Sequence, residues 1–379
     1  MIDIRGPRYF MESLNYWARG ASTERPDPCK WTDDELLSTD KVGNTMIKTT
    51  STPRATDHRA TRALVVPCSG MATPSMQIGL FSGADCTTPS ALVERGVEAE
   101  ARGFASLWVP QTPFFDALTA LAAVALRTST IELGTGVVPV QTRHPATMAQ
   151  QALTVAELAG DRVCLAVGAT HAMVSEGWWG VPYKGIVDVV AEYIDIVRAL
   201  LVDRTVDHVG PNYTARVTYP PGGATPSLVL AALGPKMLEI AGASCAGTFT
   251  WMTGPHTLAT RTIEPLRSAA TLAGRGAPRV IAGLPICLTA DVAAARAFIE
   301  PRMAFSANMP SYKRALEWEG VASPVDIALI GDEGELRRRL DALEAVGITD
   351  FCANLVGPDD GRDATLAFLG ELARERSTR

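Results

Sequence analysis

Short apolar runs alternate with longer amphipathic stretches along most of the chain, starting near Met76. The first run, QIGLF, precedes a helical stretch that ends at Gly103, and this order of strand and helix repeats eight times. The later runs are ASLWVP, TIELGTGVVP, DRVCLAVG, SLVLAAL, AGTFTWMTG, RVIAGLPICLT and ITDFCANLV. We predict that each run is a buried strand of a parallel sheet, because parallel neighbours need a crossover connection.

Two segments interrupt this pattern. The segment 203–226, DRTVDHVGPNYTARVTYPPGGATP, separates the fourth helix from the fifth strand and has no predicted element. The stretch from Asp291 to about Glu319 is predicted to be one long helix.

The number of repeats distinguishes two architectures that both alternate strands and helices. An open doubly wound sheet that binds a dinucleotide carries G-x-G-x-x-G after its first strand, and this chain has no such motif there. Eight strands, each followed by a helix, instead favour closure into a barrel. We therefore predict an α/β fold, a (β/α)8 TIM barrel spanning residues 76–379.

The first 75 residues differ from the rest of the chain. They are rich in Thr, Ser, Asp, Arg and Pro and show no sustained periodicity. We predict either a disordered N-terminal extension or a wrongly assigned start, with the true start at Met71 or Met76.

Composition and charge exclude several classes of partner. The 379 residues carry a formal net charge of −6 without a basic tract, which argues against nucleic acids and membrane surfaces as partners. No apolar run is long enough for a transmembrane helix, and the N-terminus lacks an apolar signal core. Seven cysteines without C-x-x-C spacing predict a cytoplasmic protein without a metal site. Four are expected to be buried thiols, namely Cys164, Cys245, Cys287 and Cys352.

The ends of three predicted strands are rich in small residues. In a (β/α)8 barrel the active site lies at the carboxyl ends of the strands. Tight turns explain any one of these strand ends, but three together predict room for a planar cofactor against the backbone. The small residues are Gly134, Thr135 and Gly136, then Gly168, Ala169 and Thr170, then Ala231, Ala232 and Gly234.

The sequence LGPKML places Gly234 and Pro235 at the start of a predicted helix, with Lys236 in its first turn. Free backbone N–H groups and the helix dipole favour an anion such as phosphate at that position. A merely solvated lysine is the alternative explanation for Lys236.

Histidine suits proton transfer because its charge changes near neutral pH. His171 directly follows the fourth strand and is our candidate for this role. His144, which precedes Pro145, is either a loop residue or a helix cap. His256, just after the sixth strand, also lies near the predicted mouth of the barrel, which is the end formed by the carboxyl ends of the strands.

Three segments carry a resemblance to a known family: ARGFASLWVP, TIELGTGVVPVQTRHPATMAQQALTVAELAGDRVCLAVGATH and LRRRLDALEAVGITDF. They resemble the luciferase-like monooxygenase superfamily, and within it the branch that uses the deazaflavin coenzyme F420. The resemblance extends from about Met76 to Leu369.

This resemblance implies positions for the cofactor. Members of the superfamily end their third strand in a bulge with a non-prolyl cis peptide bond behind the central cofactor ring, which here would be Gly136–Val137. The small residues at the end of strand four, Gly168, Ala169 and Thr170, complete the predicted cofactor site on the earlier argument from residue size. The cofactor-phosphate region would comprise Ala231, Ala232, Leu233, Gly234 and Pro235, with Lys236 beside it.

Two departures concern catalysis. Where related deazaflavin dehydrogenases carry an acidic residue and a histidine after strand two, this chain has Gln111 and Thr112. Where some carry a glutamate after strand four, it has His171. His171 is therefore the proton-transfer candidate by position alone.

The resulting hypothesis is an F420-dependent oxidoreductase that exchanges a hydride between the deazaflavin and a small organic substrate. Gln111, Thr112, Trp178 and Trp251 are expected to line the substrate pocket. One alternative is an FMN-dependent monooxygenase supplied with reduced flavin by a partner reductase. Another is a non-catalytic protein that binds a flavin or deazaflavin. Superfamily members commonly dimerise, so a homodimer is one expectation for the assembly.

Overall fold

The computed structural model describes residues 75–83 and 85–378, without the side chain of Phe305. Apart from Ser75, the predicted N-terminal extension lies outside these residues. Eight parallel strands pair in sequence order, and the eighth pairs with the first, so that the sheet closes into the predicted TIM barrel. They are β1 (Gln77–Phe81), β2 (Ser106–Val109), β3 (Glu132–Thr135), β4 (Val163–Gly168), β5 (Ser227–Ala231), β6 (Gly247–Trp251), β7 (Arg279–Leu288) and β8 (Asp350–Leu355).

Helices connect these strands. His144 caps the third of them, because its Nδ1 accepts a hydrogen bond of 3.2 Å from the backbone N–H of Ala146. The helices are α1 (Pro89–Arg102), α2 (Ala117–Ala125), α3 (Pro145–Ala159), α4 (Ala172–Trp179), α5 (Ile186–Val202), α6 (Pro235–Ser244), α7 (Ile263–Leu272), α8 (Val292–Ala307), α9 (Pro310–Glu319), α10 (Glu333–Ala345) and α11 (Asp359–Ser377). None of the helices in the described part of the chain is long and apolar enough to span a membrane.

The single long helix predicted from Asp291 to Glu319 is wrong. The chain forms α8 and α9 instead, and it leaves helical geometry at Met309, which has φ −72° and ψ 130°. The cause is Pro310, since a proline ring disfavours helical backbone angles in the residue before it. A short strand, Leu329–Gly331, then pairs with β7.

The segment 203–226 contains an antiparallel hairpin of Thr205–Val209 and Thr214–Thr218. Its tip is fastened to α5, because the Glu192 carboxylate accepts hydrogen bonds from the backbone N–H groups of Asn212 and Tyr213. The hairpin therefore packs on the outer helical layer.

The barrel interior is filled below its mouth. Trp108 occupies the centre, and a Cβ atom on Gly134 would lie 2.2 Å from its ring. At the other end, the Arg279 guanidinium binds the carboxylates of Glu132 and Asp350 at 2.8 and 2.6 Å. Open space for a ligand is therefore expected only at the carboxyl ends of the strands.

The four cysteines predicted to be buried thiols are confirmed as buried and free, and Cys86 is buried and free as well. Burial raises the pKa of Cys245 to about 12, so its thiol stays protonated at neutral pH.

Candidate active site at the barrel mouth

Strand β3 ends in a bulge. Gly134 pairs with Cys164 of β4, and pairing resumes where Val138 faces Val167. Three residues of one strand, 135–137, therefore oppose two residues of its neighbour, 165 and 166. The peptide bond between Gly136 and Val137 is cis, as the resemblance predicted.

Hydrogen bonds fix this bulge from both sides. The Thr135 hydroxyl donates to the carbonyl of Ala166 at 2.7 Å and accepts from its N–H at 2.8 Å, so that one side chain replaces two ladder contacts. On the side of β2, the N–H of Gly136 donates to the carbonyl of Val109 at 2.8 Å. The carbonyl of Val137 accepts from the N–H of Gln111 at 3.3 Å.

The floor beneath the bulge is aromatic. A Cβ atom on Gly136 would lie 3.2 Å from the ring of Phe81 and 3.3 Å from the ring of Phe249. The ring of Trp251 packs on Phe81 with the centroids 4.5 Å apart. Met252, which follows directly, has φ of 53°, a conformation that non-glycine residues rarely adopt. The backbone at Gly136 thus lies close over packed rings.

The ends of β3, β4 and β5 converge at this point. A Cβ atom on Gly168 would lie 2.9 Å from Ala231 and 3.3 Å from the Val137 side chain. The structure therefore brings together three of the predicted cofactor residues, one from each strand end.

Gln141 is a site residue that the sequence analysis missed. Its Oε1 accepts a hydrogen bond of 3.2 Å from the N–H of Thr170, which follows Ala169 at the end of β4. Its Nε2 is buried and has no hydrogen-bonding partner among the described residues. A buried amide donor without a partner is costly, so this group is available for an acceptor on a ligand.

The start of α6 presents free donors. Gly234 precedes the helix without a side-chain cap, and the first turn contains no acidic residue. The first bond within the helix runs from the N–H of Leu238 to the carbonyl of Gly234, which leaves the N–H groups of Lys236 and Met237 unpaired within the helix. In the part of the chain that the structure describes, no atom would lie within 4 Å of a Cβ atom on Gly234.

The strand-five end leads directly into this terminus. Ala232 is buried and Leu233 is half-buried, whereas Pro235 and Lys236 are exposed. The helix dipole, the free N–H groups and the nearby ammonium group together suit a phosphate.

His171 lies at the start of α4, where its carbonyl accepts hydrogen bonds from the N–H groups of Val174 and Ser175. Its Nδ1 lies 3.3 Å from the Ser311 hydroxyl, and its ring meets the ring of Tyr312 edge to face at 5.0 Å. Burial lowers the pKa of His171 below its usual value, so the imidazole is neutral at pH 7.

The remaining predicted residues have other contacts. The Gln111 side chain caps α2, because its Oε1 accepts from the N–H of Ala117 at 3.1 Å. The Thr112 hydroxyl accepts from the N–H of Phe114 within the same loop. Trp178, on the last turn of α4, is 45% exposed and makes no ring contact with Trp251 within the described part of the chain.

We predict that Thr135→Val lowers the free energy of unfolding by about 2 kcal/mol, because it leaves both buried backbone groups of Ala166 without their partner. Thr248→Val is the matched control. Its hydroxyl is equally buried but donates only to the carbonyl of Leu230, so we expect a cost of about 1 kcal/mol. Urea denaturation of both variants measures the difference. Equal costs would show that Thr135 does not hold the bulge.

A sequence profile of the luciferase-like monooxygenase family matches residues 69–360. A Mycobacterium tuberculosis protein named as a coenzyme F420-dependent oxidoreductase is 31% identical over 342 aligned residues, which cover 76% of this chain and 97% of that protein.

Solved structures share the fold. An F420-dependent secondary alcohol dehydrogenase in complex with an F420-acetone adduct has a TM-score of 0.68 at 21% identity, covering 78% of this chain and 98% of its own. A second structure is the oxygenating constituent of 3,6-diketocamphane monooxygenase from Pseudomonas putida in complex with FMN. It has a TM-score of 0.64 at 17% identity, covering 80% of this chain and 98% of its own. The profile match and the mycobacterial relative together show that the chain belongs to the luciferase-like monooxygenase family of oxidoreductases.

Proposed function

We propose that the protein binds coenzyme F420 across the barrel mouth and exchanges a hydride between the deazaflavin and a small organic substrate. The observation that carries this proposal is the meeting of two features at one mouth. The first feature is the β3 bulge, whose glycine backbone lies over the aromatic floor. The second is the uncapped start of α6. Gly168 and Ala231 connect the two, because they pack beside the bulge and Ala231 ends the strand that leads into α6. A flat ring and a phosphate on one ligand match these two features.

The described residues fit such a ligand. Gly136 and Val137 would support the central ring, with Gly168, Ala169 and Thr170 beside them. The phosphate would accept hydrogen bonds from the N–H groups of Lys236 and Met237 at the start of α6. Gly234 leaves open space there, where a larger residue would project into the approach.

Gln141 adds a donor on the β4 side. We assign its buried Nε2 to a carbonyl or ring nitrogen of the bound cofactor, because nothing in the described part of the protein pairs with it. F420, when bound, supplies a ring carbon that gives or accepts a hydride. The protein contributes the orientation of the two reactants and the exclusion of water.

His171 is the residue that we assign to the substrate oxygen. It is neutral at pH 7, and it lies at the end of β4 beside the proposed cofactor residues. Trp251 on the floor, together with Trp178, Gln111 and Thr112, would bound the substrate side of the mouth. We place the reaction in the cytoplasm, and a homodimer stays a prediction from the resemblance.

An FMN-dependent monooxygenase is the second candidate. The uncapped α6 terminus suits the phosphate of FMN as well as that of F420. The non-catalytic alternative rests on Gln111 and Thr112, because neither an amide nor an aliphatic hydroxyl transfers protons near neutral pH. Both side chains accept hydrogen bonds from nearby backbone N–H groups.

The first test is a tryptophan-fluorescence titration of the purified protein with F420 and, separately, with FMN. We expect saturable quenching by F420 at lower concentration than by FMN. Trp251→Phe should reduce the quenching amplitude, because Trp251 packs on the floor beneath the proposed ring site. Tighter binding of FMN would support the monooxygenase, and binding of neither compound would refute the proposal.

A substitution at the helix terminus separates cofactor binding from folding. We predict that Gly234→Asp leaves thermal stability unchanged or slightly higher, because Asp is a favourable N-cap and Gly234 already has φ −86° and ψ 156°. The same variant should weaken F420 binding at least tenfold, since its carboxylate occupies the free N–H groups and repels phosphate.

Gly234→Asn is the control for this substitution, because it has the same shape without the charge. We expect a smaller loss of F420 affinity from Asn than from Asp, measured by the same titration. Equal affinity of the Asp variant and the unmodified protein would remove the α6 terminus from the cofactor site.

A further inference from the structure

His171 contacts a part of the chain that lies far from it in sequence. Ser311 is the second residue of α9, and its hydroxyl oxygen lies 3.3 Å from the Nδ1 atom of His171. The adjacent Tyr312 packs its ring edge to face against the imidazole. Burial raises the pKa of Tyr312 to about 12, so this neighbour stays neutral across the physiological range.

Helix α9 is anchored at its other end. The Glu319 carboxylate accepts hydrogen bonds from the N–H of His256 at 3.1 Å and from the N–H of Thr257 at 2.7 Å. The Arg261 guanidinium also lies 5.0 Å from the centre of the Trp318 ring. The helix therefore spans from the loop after β4 to the loop after β6, which fixes the position of Ser311.

Two helix N-termini converge on the imidazole. His171 occupies the N-cap position of α4 without a side-chain capping bond, and Ser311 lies in the first turn of α9. The positive end of a helix dipole disfavours a protonated histidine and favours a lone pair directed toward it. Nδ1 faces the start of α9, so the electrostatic field favours Nδ1 as an acceptor rather than as an N–H group.

The Ser311 hydroxyl has one hydrogen-bonding partner among the described residues, which is Nδ1 of His171. The Nε2 atom of His171 has no protein partner in the same part of the chain. The Nε2 atom is not one of the buried polar atoms without a partner there, so it is accessible to solvent or to a ligand.

We propose that Ser311 donates its hydroxyl hydrogen to Nδ1 and thereby fixes the neutral tautomer of His171 that carries hydrogen on Nε2. Ser311 is thus a positioning residue, and His171 presents an N–H donor rather than a base toward the mouth. This Nε2–H group would donate a hydrogen bond to the carbonyl or hydroxyl oxygen of the substrate, a role that rests on the proposed function.

The test is nitrogen-15 NMR of the free protein labelled at its histidine rings, since the two ring nitrogens report the tautomer directly. His171→Gln assigns the resonances of His171 among the five histidines. We expect hydrogen on Nε2 in the unmodified protein. In Ser311→Ala the ratio of the Nε2–H to the Nδ1–H form should fall about fivefold, the size of one neutral hydrogen bond. Ser311→Thr keeps the hydroxyl and should restore the original ratio.

Hydrogen on Nδ1 in the unmodified protein would overturn the proposal, and this spectrum requires no variant. An unchanged ratio in Ser311→Ala would also overturn it. F420 titration of the same samples keeps the two claims distinct. Failure to bind F420 would count against the proposed function, whereas the tautomer is measured on the protein without cofactor.

Discussion

The geometry of the mouth depends on one local interaction, the replacement of two ladder hydrogen bonds by the Thr135 hydroxyl. A parallel strand that gains one residue loses register with its neighbour and leaves backbone groups unpaired. Thr135 satisfies both backbone groups of Ala166, so β3 can depart from the ladder for three residues and rejoin it at Val138. Without that compensation, the bulge would be held only from the side of β2, through the backbone hydrogen bonds of Gly136 and Val137.

The ends of the next two strands are shaped by close packing. Position 168 at the end of β4 requires glycine, because a Cβ atom there would lie 2.9 Å from Ala231 and 3.3 Å from the Val137 side chain. The next strand then leads into α6, whose first turn keeps its N–H groups free because Gly234 has no side chain to cap them. Under the proposed function, the small residues at these strand ends give a ligand access to the backbone.

Much of the fold is predictable because it repeats. Apolar runs of strand length and helical stretches between them identified the barrel, and the barrel rule then placed the mouth at the carboxyl ends of the strands. The break before Pro310 was readable from the restriction that proline imposes on Met309. The hairpin was readable in part, since TARVT alternates polar and apolar residues and follows a Gly-Pro-Asn turn. In both cases the signal is local and lies within a few residues of the element that it specifies.

Other parts of the site could not be predicted from local patterns. Ser311 approaches His171 across 140 positions of sequence, and only the packing of α9 between two loops brings them together. The unpaired Nε2 of Gln141 depends on the environment of its side chain, which periodicity does not report. The cis bond at Gly136–Val137 came from the family resemblance and not from spacing or composition.

The central claim is that the β3 bulge and the start of α6 hold a single ligand, and a crystal structure of the protein with F420 tests it most directly. The account predicts the deazaflavin ring against Gly136 and Val137, with the phosphate bonded to the N–H groups of Lys236 and Met237. A ring bound away from the bulge, or a phosphate bound away from α6, would contradict it.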